Sequence, residues 1–213
     1  MSILLFAESE NNKLKRNAAE IASYGAALAG KLNKDCVAVS FNADNAQELG
    51  QFGVSKAFNI TNVPQQFDAH VYANVLTHYI KSLGATHIIL GSSADAKFLA
   101  PLVAANTNAA YVPNVVALPH EQQPLTVRRT VFTNKAFAST TLTAEVNIIG
   151  VGNNAFGTVE QAVDCVVEHA TVEHAASHVE QLSISKETGK ATIADADVVV
   201  SGGRGLKGPE HWH

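Results

Sequence analysis

The chain has 213 residues, which suits one large domain or two small ones. Fifteen Lys and Arg residues against nineteen Asp and Glu residues give a formal charge of −4, which argues against a nucleic-acid binder because such a protein needs a basic face. Charged residues make up only 16% of the chain. Either a partner chain or a missing domain covers part of the surface, or small polar residues coat it, and the composition fits both explanations.

The sequence carries no sign of a membrane or secretory protein. No apolar run approaches the ~20 residues that span a bilayer, and the short apolar start, Ile3 to Ala7, lacks a basic region before it. The two cysteines, Cys36 and Cys165, lie in apolar segments and are predicted to be buried core residues of a reducing compartment. We therefore expect a cytoplasmic protein.

The first half alternates short apolar runs with amphipathic ones. Strands are predicted at 3–7, 36–41, 56–60 and 87–91, and helices at 17–32, 43–49, 68–83 and from Ser93 or Asp95 to about 105. Asp68 is the expected cap of the third helix, which Gly84 ends. Strands that are apolar throughout and separated by helices predict a mostly parallel, Rossmann-like α/β sheet with helices on both faces.

After about Ala109 the pattern becomes rich in β-branched residues. It predicts additional strands at 111–118, 125–132, 136–142, 146–151 and 162–170, with a further one at 179–185. These strands are expected either to extend the same sheet or to pack against it. The first domain is predicted to cover 1–190.

The α/β pattern returns at the C-terminus. Residues 197–200 (DVVV) predict a buried strand, and a glycine-rich turn follows at Ser201, Gly202, Gly203, Arg204 and Gly205. Glycines there would allow positive φ and a close approach to a ligand, and Arg204 could bond a phosphate or stack on a flat ring. Pro209 suits a first helical turn. A strand and turn with nothing after them predict the truncated start of a second α/β domain at 191–213.

Several stretches resemble the electron transfer flavoprotein alpha subunit. Residues 196–210 (ADVVVSGGRGLKGPE) are similar to the segment that opens that family's FAD-binding domain. Residues 91–101, Arg129 to Ala136 (family pattern Arg-Pro-x-Tyr-x-Gly-Asn/Lys-Ala) and 154–156 resemble further family segments. The chain departs from the pattern at Thr130 and Phe132, where the family has proline and tyrosine, and a family arginine is absent near Gly152.

The resemblance implies a heterodimeric electron carrier rather than an enzyme with its own substrate. Such a carrier accepts electrons from dehydrogenases through FAD and passes them on, by way of a quinone reductase, towards the respiratory chain. The beta subunit is the implied partner and carries AMP. The family's FAD-contacting arginine corresponds to Arg204, and Ser201, Gly202, Gly203 and Gly205 form the loop that positions it. Most FAD contacts come from the domain that follows in the family, which leaves open whether the isolated chain holds FAD.

Two other interpretations compete with this one. The loop Gly91–Ala96 over a helix start suits a nucleotide, so an adenine-nucleotide-binding regulatory module without redox activity is the alternative. The second competing interpretation is that the chain serves only as a scaffold for its partner. His169, His174 and His178 would suit a metal only if they lay on a helix, and Ser93 and Asp95 are expected to be helix caps rather than catalytic groups.

Overall fold

The computed structural model describes residues 2–174, 182–183, 193, 196 and 198–211. It divides into two units, Met1–His178 and Val179–His213. In chain order the strands of the first unit are β1 Ser2–Ala7, β2 Ser9–Glu10, β3 Lys13–Leu14, β4 Asp35–Phe41, β5 Lys56–Ile60, β6 His87–Leu90, β7 Ala110–Val115, β8 Glu121–Gln122, β9 Leu125–Val131, β10 Ala136–Leu142, β11 Asn147–Val151 and β12 Val166–Ala170. The helices are α1 Asn17–Leu32, α2 Ala69–Ser82 and α3 Ala94–Thr107, with a 3-10 helix at Ala46–Gln51.

The main sheet has ten strands in the order β10-β9-β7-β11-β6-β1-β4-β5-β12, with β8 paired to β9. The strands from β7 to β12 along this order are parallel, and β8, β9 and β10 are antiparallel additions at one edge. The α/β class and the mostly parallel sheet are therefore confirmed. The β-rich half extends the same sheet instead of packing on it.

Helices cover both faces of the parallel part, as the sequence predicts. On one face, α1 packs with the odd residues of β1, such as Ile3 and Leu5. On the other, α2 and α3 pack with the even residues, such as Leu4 and Phe6. Because both faces of the central strands are buried, β1 reads as an uninterrupted apolar run.

Local signals set the helix ends. The Asp68 carboxylate accepts hydrogen bonds from the amides of His70 and Val71, both at 3.0 Å, and begins α2. The Ser93 hydroxyl does the same for α3 through the amide of Ala96. The predicted helix at 43–49 is a 3-10 helix, Ala46–Gln51.

The second unit departs from its prediction. Val198, Val199 and Val200 are exposed and form no strand, so the predicted buried strand is wrong over these residues; Asp197 lies outside the described residues. An apolar strand persists only when neighbours pair with it, and the described part of 179–213 contains no second strand. Short 3-10 helices occupy Arg204–Leu206 and Pro209–His211. The strand predicted at 179–185 lies outside the described residues, apart from Leu182 and Ser183, which have no regular structure.

Candidate functional site

The glycine-rich segment is an exposed turn. Ser201, Gly202 and Gly203 have no regular structure, and the amide of Leu206 donates to the Gly203 carbonyl at 3.0 Å to close the 3-10 turn that contains Arg204. Arg204 and Gly205 are exposed. The segment therefore offers an accessible guanidinium on a short turn.

The expected use of glycine is not observed here. Gly203 has φ −71°, and Gly202 and Gly205 are not among the glycines with positive φ; the residue of this turn with a positive φ is Lys207, at 56°. A Cβ atom built on Gly203 or Gly205 would meet nothing within 4 Å. The turn follows an unpaired segment rather than a strand, so nothing forces its backbone into the left-handed region.

A second candidate lies where the strand order of the sheet reverses. Strand β1 has β4 on one side and β6 on the other, and ligands of such sheets bind beyond the carboxyl ends at this point. Here the crevice holds the side chain of Glu8, which is only 4% exposed. Its carboxylate accepts hydrogen bonds from the Ser93 hydroxyl at 2.9 Å, the Lys15 ammonium at 3.3 Å and the Asn17 amide at 3.4 Å.

Lys15 joins this carboxylate to a second one. Its Nζ lies 3.3 Å from Glu8 Oε2 and 3.3 Å from Asp95 Oδ2. Burial lowers the pKa of Lys15, but the two carboxylates outweigh burial and raise that pKa above its usual value. Glu8, Lys15, Asn17, Ser93 and Asp95 thus form a connected network, called the Glu8 network below. Ser93 is a helix cap, as predicted, and Asp95 serves as an ion-pair partner.

The histidine cluster does not form a metal site in the described part of the chain. His169 lies on β12 and is 3.4 Å from the Asn59 amide, and His174 lies 3.0 Å from the Asn62 carbonyl. Neither is helical, and His178 lies outside the described residues. Among the described residues no group of three or more potential ligands is close enough to hold a metal ion.

A third feature is the segment 152–165, which connects β11 to the far edge strand β12. The Glu20 carboxylate of α1 accepts hydrogen bonds from the amides of Asn154, Phe156 and Gly157, at 2.8 to 2.9 Å. Ser23, one turn later, accepts from the amide of Val159 at 2.9 Å. This segment, called the crossover below, is therefore fixed to α1 by two side chains.

Comparison with known proteins decides the family. The model of the electron transfer flavoprotein domain matches residues 3–184. The chain belongs to the electron transfer flavoprotein domain family. The predicted resemblance is confirmed, since the electron transfer flavoprotein subunit alpha of Thermoanaerobacterium thermosaccharolyticum is 24% identical over 226 residues, covering 99% of this chain and 67% of the relative.

A solved structure, the universal stress protein from Archaeoglobus fulgidus, is similar to part of the chain. The match covers 49% of this chain and 87% of the stress protein's chain, with 11% sequence identity and a TM-score of 0.35. A likeness this low supports no functional argument. No helix among the described residues is long and apolar enough to cross a membrane.

Family membership does not explain the Glu8 network, but the network bears on the nucleotide alternative. A phosphate in this crevice would need hydrogen bonds from Ser93 and Lys15, and both of these donors already bind the Glu8 carboxylate. A buried carboxylate in that position repels a second anion. The structure therefore does not favour an adenine nucleotide at the Gly91–Ala96 loop.

Two buried acidic residues that organise these regions were missed by reasoning from the sequence. Glu8 directly follows an apolar strand, and Glu20 is 6% exposed on a helix whose neighbours are small and apolar. A single acidic residue at a strand end or inside an apolar helix face is an available signal, because carboxylates are rarely buried without partners. Cys165 was also misjudged: Cys36 is buried as expected, but Cys165 is partly exposed.

Proposed function

We propose that this chain acts as an alpha-type subunit of an electron transfer flavoprotein, in a heterodimer with a beta subunit. In this role it accepts electrons from dehydrogenases through FAD and passes them, by way of a quinone reductase, towards the respiratory chain. The observation that carries the proposal is the family match over residues 3–184, together with the alpha-subunit relative that aligns with 99% of the chain. Two free cysteines among the described residues fit a reducing compartment, so we propose the cytoplasm as the location.

The described residues fit FAD only in part. Segment 201–205 supplies an exposed guanidinium, Arg204, and open backbone, which suit contact with an anionic or flat ligand. It supplies no enclosing wall within the described residues 198–211, where most positions are exposed. We propose that the remaining contacts come from polypeptide equivalent to the third of the relative that this chain does not cover, that residues 191–213 open this FAD-binding domain, and that AMP belongs to the beta subunit.

Arg204 has a definite expected role in this proposal. FAD, when bound, supplies the redox chemistry through its isoalloxazine ring. A guanidinium close to that ring would stabilise the negative charge of the reduced form, because opposite charges attract strongly in a partly dry site. Ser201, Gly202, Gly203 and Gly205 would hold the arginine at the ring.

The first experiment asks whether the chain can belong to a flavoprotein. The chain is co-expressed with a beta subunit of the family, with and without the uncovered part of the Thermoanaerobacterium relative joined after His213. We expect a yellow heterodimer with a flavin spectrum from the extended form. A colourless heterodimer that ignores added FAD would overturn the proposal.

The second experiment tests Arg204 in that extended heterodimer. Arg204→Ala is expected to lower the flavin reduction potential by tens of millivolts, and Arg204→Lys should retain part of the effect because it keeps the charge. Lys207→Ala is the matched control, since it removes an exposed cation three residues away. An unchanged potential in Arg204→Ala, or an equal change in Lys207→Ala, would remove the role assigned to Arg204.

A further inference from the structure

The hairpin of β9 and β10 is a basic segment of an acidic chain. Residues 121–142 contain Arg128, Arg129 and Lys135 but only one acidic residue, Glu121, whereas the whole chain carries −4. The hairpin also exposes two large aromatic rings, Phe132 at 79% and Phe137 at 58%. Exposed aromatic rings beside arginine are typical of protein interfaces.

The two arginines lie on opposite faces of the hairpin and differ in their partners. Arg128 pairs across the hairpin with Ser139, and its guanidinium lies 4.0 Å from the centre of the Phe137 ring. Arg129 pairs with Ala138, and its Nε is buried without a hydrogen-bond partner among the described residues. A buried N–H group that lacks an acceptor is unfavourable. Arg129 is therefore the side chain that an incoming acceptor would stabilise.

Arg129 lines an open groove of about 610 Å³, called the arginine groove below. Its other walls include Pro113 and Asn114 of β7, Ala138 of β10 and Phe132 of the hairpin turn. Asn114 has φ 58°, and the register between β7 and β11 shifts beside it. This bulge interrupts the strand where the groove forms.

The rim of the groove has an unfavourable backbone conformation. Three consecutive residues, Phe132, Thr133 and Asn134, have φ of 52°, 54° and 62°. The left-handed region disfavours bulky and β-branched residues, and such outliers concentrate at binding sites. Phe132, which lines the groove, lies in this strained turn and is 79% exposed.

We propose that the arginine groove docks a protein segment that presents an Asp or Glu side chain next to an apolar residue. The planar guanidinium of Arg129 matches a carboxylate in two parallel hydrogen bonds. Phe132, Pro113 and Ala138 supply apolar contact for the neighbouring residue. Among the described residues a single cation lines the groove, which suits a carboxylate better than a phosphate, and the basic hairpin complements an acidic partner. The inference concerns the hairpin alone and is independent of the proposed redox role.

The test uses the 213-residue chain without FAD, labelled with ¹⁵N so that the arginine Nε–H signals are visible. The probes are acetyl-Glu-Phe-amide and its uncharged counterpart, acetyl-Gln-Phe-amide. We expect the Glu peptide to shift the Arg129 signal with a dissociation constant in the millimolar range, and the Gln peptide to bind at least about tenfold more weakly. No shift, or equal shifts with both peptides, would overturn the proposal.

Variants assign the binding to the groove. Arg129→Gln should abolish the difference between the peptides, Arg129→Lys should weaken it, and Phe132→Ala should weaken both peptides alike. Lys135→Gln is the matched control, because it removes a charge from the same hairpin outside the groove lining. Thermal melts verify that each variant folds. If Arg129→Gln does not fold, the peptide affinities of Arg129→Lys and Phe132→Ala still show whether binding occurs in the arginine groove.

Two other occupants are outcomes of the same experiment. Inorganic phosphate that shifts the Arg129 signal as strongly as the Glu peptide would overturn the preference for a carboxylate. Concentration-dependent dimerisation that Arg129→Gln removes, measured by sedimentation, would assign the groove to a second copy of the chain and contradict the proposal.

Discussion

The hydroxyl of Ser93 donates a 2.9 Å hydrogen bond to the carboxylate of Glu8, and so connects the end of β1 to the start of α3. The same hydroxyl accepts a hydrogen bond from the amide of Ala96, so the residue that caps the helix also binds the buried acid. In a parallel sheet this is the position that ligands use. The chain has filled it with its own side chain.

Removing the Glu8 side chain should destabilise the fold. Glu8→Ala is expected to cost about 2–3 kcal/mol in the free energy of unfolding, since Ser93, Asn17 and Lys15 all lose an acceptor. Asp95→Asn is the control, because the Asp95 side chain is 40% exposed and its pair with Lys15 should contribute less than about 1 kcal/mol. Urea unfolding measures both, and equal losses would contradict the central position of Glu8.

The same network predicts the outcome of nucleotide titration. Calorimetry of the unmodified chain with AMP or ATP should give no heat of binding, because the donors of the crevice are already engaged. Binding in the sub-millimolar range would reverse the argument and support the regulatory-module alternative.

Local pattern predicted most of the first unit. Helix α1 and strands β5 and β10 have the predicted bounds, because each is a regular run ended by a turn or a polar residue. The caps Asp68 and Ser93 were also predicted, since the N-cap signal lies within three residues of the helix it begins.

What pattern did not predict depends on distant contacts. Glu8 meets Ser93 across 85 positions, and Glu20 meets Phe156 across 136, so neither pairing has a local signature. The predicted strand at 197–200 failed for a related reason: its apolar sequence is a sufficient local signal, but strand formation also needs a neighbour. The FAD role of Arg204 stays a prediction.

Glu20 should control the crossover. Glu20→Ala is expected to cost about 2–4 kcal/mol, because three backbone amides lose their acceptor at once, and Glu20→Gln should cost less since one oxygen remains. Hydrogen exchange at Asn154, Phe156 and Gly157 should accelerate in both variants. Glu168→Gln, which removes a pair between exposed side chains, is the control and should cost less than about 1 kcal/mol. Unchanged exchange at the three amides would refute the assignment.

His87 should make the fold less stable in acid. Burial, with the nearby Lys34 ammonium, lowers the pKa of His87 from 6.5 to about 4. Between these two pH values the His87 side chain is protonated in the unfolded state but neutral in the folded state. Its contribution to the free energy of unfolding is therefore fully present above pH 6.5 and decreases as the pH drops towards 4. After allowance for partial solvent screening, we expect a loss on the order of 1–2 kcal/mol over that window.

Urea unfolding at a series of pH values measures the His87 contribution. His87→Asn should remove this part of the acid slope, while His70→Asn, at an exposed position of α2, should leave it unchanged. An acid slope that survives in His87→Asn would show that other groups cause it.

Two glycines should respond to alanine in opposite directions. Gly30 lies exposed in α1, and a Cβ there meets nothing within 4 Å, so Gly30→Ala should stabilise the chain by about 0.5–1 kcal/mol through helix propensity.

A Cβ on Gly50 would lie 2.6 Å from the Val163 carbonyl oxygen and 2.8 Å from the Cys165 Cβ, where the crossover reaches the sheet edge. Backbone must then move, and the amide of Val163, which donates to the Gly50 carbonyl at 2.9 Å, moves with it. Gly50→Ala should therefore cost about 1–3 kcal/mol and speed exchange at Val163. Thermal or urea unfolding of the two variants measures the sign directly, and a stabilising Gly50→Ala would mean that the crossover does not press on this glycine.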